Sequence, residues 1–163
     1  MSIITLLTDF GTADGYAGIM HGVILRINPQ ATVVDLCHDI PPQDVQAAAF
    51  VLATAYPYFP AETIHVAVVD PGVGSERRAI AVRTPRGTFV APDNGLLSYI
   101  LAREPVSEAV HLTEARYWLS PLSSTFHGRD LFAPVAAYLS LGVPLPEMGP
   151  ALHDPVRFVL PEA

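Results

Sequence analysis

The sequence predicts an α/β fold with a mainly parallel β-sheet flanked by helices. Three observations carry this. Short runs apolar on both faces, such as Ile3-Ile4-Thr5-Leu6-Leu7-Thr8, suit strands buried from both sides. Segments with helical spacing alternate with these runs, which is the order of βαβ units with right-handed crossovers. Finally, the 163 residues suffice for one packed domain and are too few for two.

In chain order, Ile3–Thr8 is the first strand, closed by Asp9-Phe10-Gly11. Ile19, Val23, Ile24 and Ile27 recur at helical spacing over residues 15–27, and Asn28-Pro29 stops that helix. Residues 32–36 form a second strand. Pro41-Pro42 then opens a helix over Gln43–Ala55, with Pro42 near its first turn. Residues 64–69 form a third strand that ends in Asp70-Pro71-Gly72. Residues 79–83 and 88–91, joined by Thr84-Pro85-Arg86-Gly87, read as a hairpin. Helices are expected over 96–102 and 130–141, the latter ended by Gly142. Residues 1–150 form the α/β domain, and the Pro-rich remainder, 151–163, reads as a tail or the start of a connection.

Composition removes several function classes. Half of the residues are apolar and 15% are charged, the reverse of a disordered chain. All nine basic residues are Arg, and the formal net charge is -7, so nucleic acid is a poor partner. No apolar run reaches the ~18 residues of a membrane span. The N-terminus has no basic n-region or cleavage site, and Cys37 is the single cysteine; a cytoplasmic location is expected.

Polar residues gather where strands end. Asp9, Asp70 and Asp93-Asn94-Gly95 each follow a strand, and open α/β sheets bind ligands beyond the carboxyl ends of their strands. Turn chemistry alone accounts for any one of these Asp residues. The loop Asp70-Pro71-Gly72-Val73-Gly74-Ser75-Glu76-Arg77-Arg78 has glycines for close backbone approach and two arginines, either of which would pair with Asp70. It lacks a P-loop pattern. In Ser123-Ser124-Thr125-Phe126-His127-Gly128-Arg129-Asp130, His127 is a candidate to exchange protons near neutral pH. His21, His38, His65, His111 and His153 read as packing or surface residues. No His or Cys spacing matches a zinc site.

Four motifs stand together in one order: Thr8-Asp9-Phe10-Gly11, Val69-Asp70-Pro71-Gly72-Val73-Gly74, Ala91-Pro92-Asp93-Asn94-Gly95-Leu96 and Thr125-Phe126-His127-Gly128-Arg129-Asp130. In this the sequence resembles the S-adenosylmethionine hydroxide adenosyltransferase family, relatives of the fluorinases and chlorinases, from the first strand to about residue 150. The resemblance implies attack of water at C5′ of S-adenosylmethionine (SAM), releasing adenosine and methionine, with no cofactor and no metal. It implies catalytic roles for Asp70, Arg77 and His127. It also implies that Asp9 holds the ribose hydroxyls and that Thr125, Phe126 and Gly128 wall the reacting carbon. Asn94 either lines the site or shapes its own turn. The halogenating relatives carry an aromatic hydroxyl residue at the position of Asp70, and a carboxylate there disfavours a buried halide.

The family's chains add a C-terminal β-barrel domain and assemble as homotrimers. A 163-residue chain is expected to hold the first domain and lack the second. Three other readings stay open: a SAM-dependent halogenase, a non-catalytic nucleoside-binding or assembly domain, and a metal-dependent phosphohydrolase using Asp9, Asp70 and Asp93.

Overall fold

Six strands form one sheet in the order β2-β1-β3-β5-β4-β6. The computed structural model describes residues 2–161 of the protein. The strands are β1 (Ile3–Thr8), β2 (Thr32–Cys37), β3 (Ile64–Val68), β4 (Ala79–Thr84), β5 (Gly87–Pro92) and β6 (Glu108–His111). β2, β1, β3 and β5 run parallel, while β4 pairs antiparallel with both β5 and β6. The hairpin of β4 and β5 falls where turn chemistry places it, around Pro85-Arg86. β6 was not expected from the sequence; four residues at a sheet edge are too few to show a period.

Helices cover both faces. α1 (Tyr16–Ile27) and α4 (Ala133–Ser140) lie on one, α2 (Val45–Ala55) and α3 (Ser98–Arg103) on the other. The pleat divides the side chains accordingly. Ile4, Leu6, Val66 and Val68 pack with Met20, Ile24 and Val135, whereas Leu7, Ala67 and Val69 pack with Ala48, Leu52 and Ile100. All of these are nearly inaccessible to solvent, so each contributes on the order of 1–3 kcal/mol of burial according to its size.

Three helix starts differ from expectation by two residues or more. α2 begins at Val45, not at Gln43, because the Asp44 side chain caps it by accepting from Ala47 N–H at 2.9 Å. Gln43 stays outside, in a left-handed conformation with φ 64°. The segment expected as one helix over 130–141 instead opens with a π-helical turn, Gly128–Phe132, in which Ala133 N–H reaches Gly128 O. Likewise α3 starts at Ser98 rather than at residue 96.

Part of the stretch beyond residue 150 is docked rather than loose. Ala151 bridges to Val110, Val156 N–H donates to Asp93 Oδ1 at 2.7 Å, and Phe158 N–H donates to Ser98 Oγ at 3.1 Å. Among the described residues, no helix is long and apolar enough to cross a membrane.

Candidate functional site

The chain leaves β1 toward β2 on one side and returns to β3 on the other, so strand order reverses between β1 and β3. A crevice opens at such a point beyond the carboxyl ends of the strands. Here it is a cavity of about 120 Å³ lined by Asp9, Phe10, Gln43, Val68, Asp70, Val73, Thr125, His127 and Gly128. Asp9 arrives from the end of β1, Asp70 from the end of β3, and Thr125–Gly128 from the approach to α4.

Asp70 is tied to Arg77 by a two-toothed contact. Arg77 Nε donates to both carboxylate oxygens, at 2.9 and 3.0 Å, and Arg77 Nη2 donates to Oδ2. Only 6% of the Asp70 side chain and 11% of the Arg77 side chain are exposed. The guanidinium also lies over the Phe132 ring, 5.5 Å from its centroid. A planar fork of donors suits this pairing in a way a point charge does not. Arg78 takes no part: it pairs with Asp93 and Asp154.

The same Arg77 Nη2 lies 2.8 Å from His127 Nδ1. An arginine has only donors, so Nδ1 is the acceptor, and the ring proton sits on Nε2. That N–H donates to Ser123 O at 2.9 Å. Burial, and then the adjacent Arg77 charge, hold the His127 imidazole below its ordinary value and favour the neutral form. Ser123 is the hub of this turn. Its hydroxyl accepts from Phe126 N–H at 2.8 Å, and its own N–H donates to Asp130 Oδ2 at 2.9 Å. Burial pushes the Asp130 carboxyl up, but bonds from Arg129 and Ser123 outweigh it and hold it low.

Across the cavity, Asp9 Oδ2 accepts from Gln43 N–H at 2.7 Å. Among the described residues Oδ1 has no protein partner, which leaves an acceptor free for a ligand hydroxyl. Gly128 presses against the Phe10 ring, where an added Cβ would stand 3.1 Å from two ring carbons. Phe126 is not in the cavity lining. It stacks on Tyr16 with centroids 4.7 Å apart, and Arg129 lies over it. Asn94 shapes its turn: Nδ2 donates to Val69 O at 2.9 Å, and Oδ1 accepts from Leu96 N–H. Asp93 is engaged with Arg78 and Val156, apart from Asp9 and Asp70. Among the described residues no three His, Cys, Asp or Glu are grouped to hold a metal ion, so the three-aspartate metal reading has no centre here. Of the lining, Gln43 escaped the sequence reading, and its only signal was its place beside Pro41-Pro42.

Residues 4–149 match the N-terminal domain model of the SAM hydroxide adenosyltransferases.

The chain belongs to the SAM hydroxide adenosyltransferase family.

It is 51% identical to a protein of Salinispora tropica named (R)-S-adenosyl-L-methionine hydrolase, over 98% of this chain and 64% of that one. A protein of the same name from Methanocaldococcus jannaschii is 48% identical, over 84% and 52%. A fluorinase from an Actinoplanes species is 28% identical, over 98% and 62%. The fold of this family member also superposes on the crystal structure of an uncharacterized conserved protein from Thermotoga maritima. That match has a TM-score of 0.95 and 40% identity, covering 98% of this chain and 62% of that one. The chain thus spans about three fifths of the length of the hydrolase-named Salinispora relative.

Proposed function

We propose that the protein hydrolyses SAM to adenosine and methionine. The observation that carries this reading is the Asp70–Arg77–His127 linkage facing Asp9 across a 120 Å³ cavity. The greater identity to hydrolase-named relatives than to fluorinases supports it.

In this reading Asp9 Oδ1 accepts from the ribose hydroxyls and sets C5′ near Asp70. A water held by Asp70 attacks C5′ in line with the sulfonium. The new O–C5′ bond forms as the C5′–S bond breaks, and the bonding pair becomes a lone pair of the methionine thioether. The water proton passes to Asp70 and then to solvent. A sulfonium leaves without protonation, so the residues' work is to orient water and accept its proton. His127 is not the acceptor, since both of its ring nitrogens are engaged; it holds Arg77, which in turn aims the Asp70 carboxylate. The reaction as written uses no metal or cofactor.

The test is incubation of the purified protein with SAM in H₂¹⁸O, followed by chromatography and mass spectrometry. Adenosine and methionine in equal amounts, with ¹⁸O at the 5′ position, are expected. Formation of 5′-chloro-5′-deoxyadenosine in chloride buffer would replace this reading with halogenation.

One observation favours a second reading. Ligand sites for molecules of SAM's size usually enclose ~300–1,000 Å³, well above the 120 Å³ seen here. A nucleoside-binding domain whose chemistry needs further residues fits that figure, and calorimetric adenosine binding without turnover would select it. We also place the protein in the cytoplasm as a homotrimer, supported by the lone Cys37 and by its family membership. Light scattering coupled to gel filtration reads the assembly.

A further inference from the structure

The loop after β2 grips the end of β1 at three points. Gly11 N–H donates to His38 O at 2.7 Å, and Gln43 N–H donates to Asp9 Oδ2 at 2.7 Å. The third point is a chain of side chains. His38 Nε2 lies 2.7 Å from Asp35 Oδ1, and His38 Nδ1 lies 2.7 Å from Thr8 Oγ1. Thr8 Oγ1 also accepts from Phe10 N–H at 3.2 Å. Asp35 is an acceptor only in these bonds, so His38 donates to it through Nε2–H. Nδ1 then accepts the Thr8 hydroxyl proton, and every donor in the chain has one acceptor. His38 and Thr8 are buried, whereas Asp35 is nearly half exposed and also accepts from His21 at 2.8 Å. The pairing of β1 with β2 slips between Leu6 and Leu7, where the strand meets Cys37. That irregularity brings His38 level with Thr8. His38, read from sequence as a packing or surface residue, is therefore part of a relay.

We propose that Asp35 and His38 are positioning residues of the site, which through Thr8 fix the Asp9–Phe10 segment against a ribose-bearing substrate. The proposal rests on the SAM-hydrolysis reading for the identity of that substrate. Thr8, Asp35 and His38 do not line the cavity themselves. Their effect passes through two groups that bear on it: the Phe10 backbone, which carries the ring seated on Gly128, and the Asp9 carboxylate one residue earlier. A misplaced Asp9 weakens ground-state and transition-state binding alike, so the loss falls on KM.

The experiment compares Thr8→Val, which keeps shape and removes the hydroxyl, with Thr8→Ser, which restores it. Thr8→Val is expected to raise KM for SAM about tenfold, the worth of one buried hydrogen bond, while changing kcat less than about twofold. It should also speed hydrogen exchange at the Phe10 amide. Thr8→Ser should return both values toward those of the unaltered protein. An unchanged KM in Thr8→Val, a kcat loss as large as the loss in kcat/KM, or an unchanged Phe10 amide would overturn the proposal. If the unaltered protein does not turn over SAM, the hydrolysis reading fails on its own, and amide exchange still decides whether the relay fixes the segment.

Discussion

Arg77 Nη2 donates to His127 Nδ1 across 2.8 Å. Because the other ring nitrogen is bound to Ser123 O, the imidazole has no lone pair left for a proton from water. In the proposed hydrolysis, proton acceptance then falls to Asp70. Asp70→Asn should lower kcat by about 10²–10⁴, the usual worth of a general base. His127→Asn should cost less. Product chromatography gives both rates, and equal losses would contradict the division of roles.

The same bond fixes a pH dependence. Protonated His127 cannot accept from Arg77, and burial together with Arg77 holds its titration below the ordinary value. The bond is therefore intact at neutral pH and above and is lost as pH falls through the lowered value. Rates should stay level from about pH 7 to 8 and fall only on the acid side. A midpoint above pH 7 in kcat/KM would refute this.

Arg77→Lys keeps the charge but not the fork. One ammonium cannot hold both Asp70 oxygens and the imidazole, and the packing on Phe132 is lost as well. A loss of about 1–3 kcal/mol in urea unfolding is expected, with kcat reduced tenfold or more. Retained activity would mean that charge alone suffices.

Gly74 has φ 77°, and a Cβ there would overlap the Ser124 carbonyl oxygen. The Asp70 loop and the His127 loop thus touch at a point that only glycine permits. Gly74→Ala should destabilise by about 1–2 kcal/mol from its backbone alone and separate the two loops, lowering activity further. Glu76→Ala, in the same loop but exposed, is the control and should leave thermal stability unchanged.

His65 adds to the acid sensitivity of the fold. It is fully buried on β3, bonded to Thr5 at 2.7 Å and stacked on Phe89, and burial lowers its titration to about 4. The unfolded chain takes up that proton near pH 6.5, the folded chain only near 4. Stability is thus complete above pH 6.5 and declines between 6.5 and 4, by up to roughly 3 kcal/mol from this residue. His65→Gln should flatten the slope of unfolding free energy against pH in that window.

Much of this was legible in the sequence because it rests on local signals. Strand ends marked by Asp9 and Asp70 place two carboxylates at the carboxyl end of neighbouring parallel strands, and the Asp70 loop carries its own Arg77. What stayed hidden depends on pairing between distant segments. The role of His38 arises only when a slip in the β1–β2 register brings it level with Thr8. The left-handed turn at Gln43 arises because Asp44 caps α2 and Asp9 takes the Gln43 N–H. Asp93 and Asp70 look alike in sequence, each at a strand end two residues before a glycine. Only the path of residues 154–156 shows that Asp93 anchors backbone instead.

The cavity between Asp9 and His127 has one more consequence. At 120 Å³ it has room for roughly four water molecules at liquid density. A sugar seated on Asp9 would displace most of them. Water would then reach the reacting carbon as a counted reagent, its supply set by the walls and not by the bulk. Because seating the sugar releases those waters, small solutes too large to enter the cavity should lower KM for SAM as they lower the water activity.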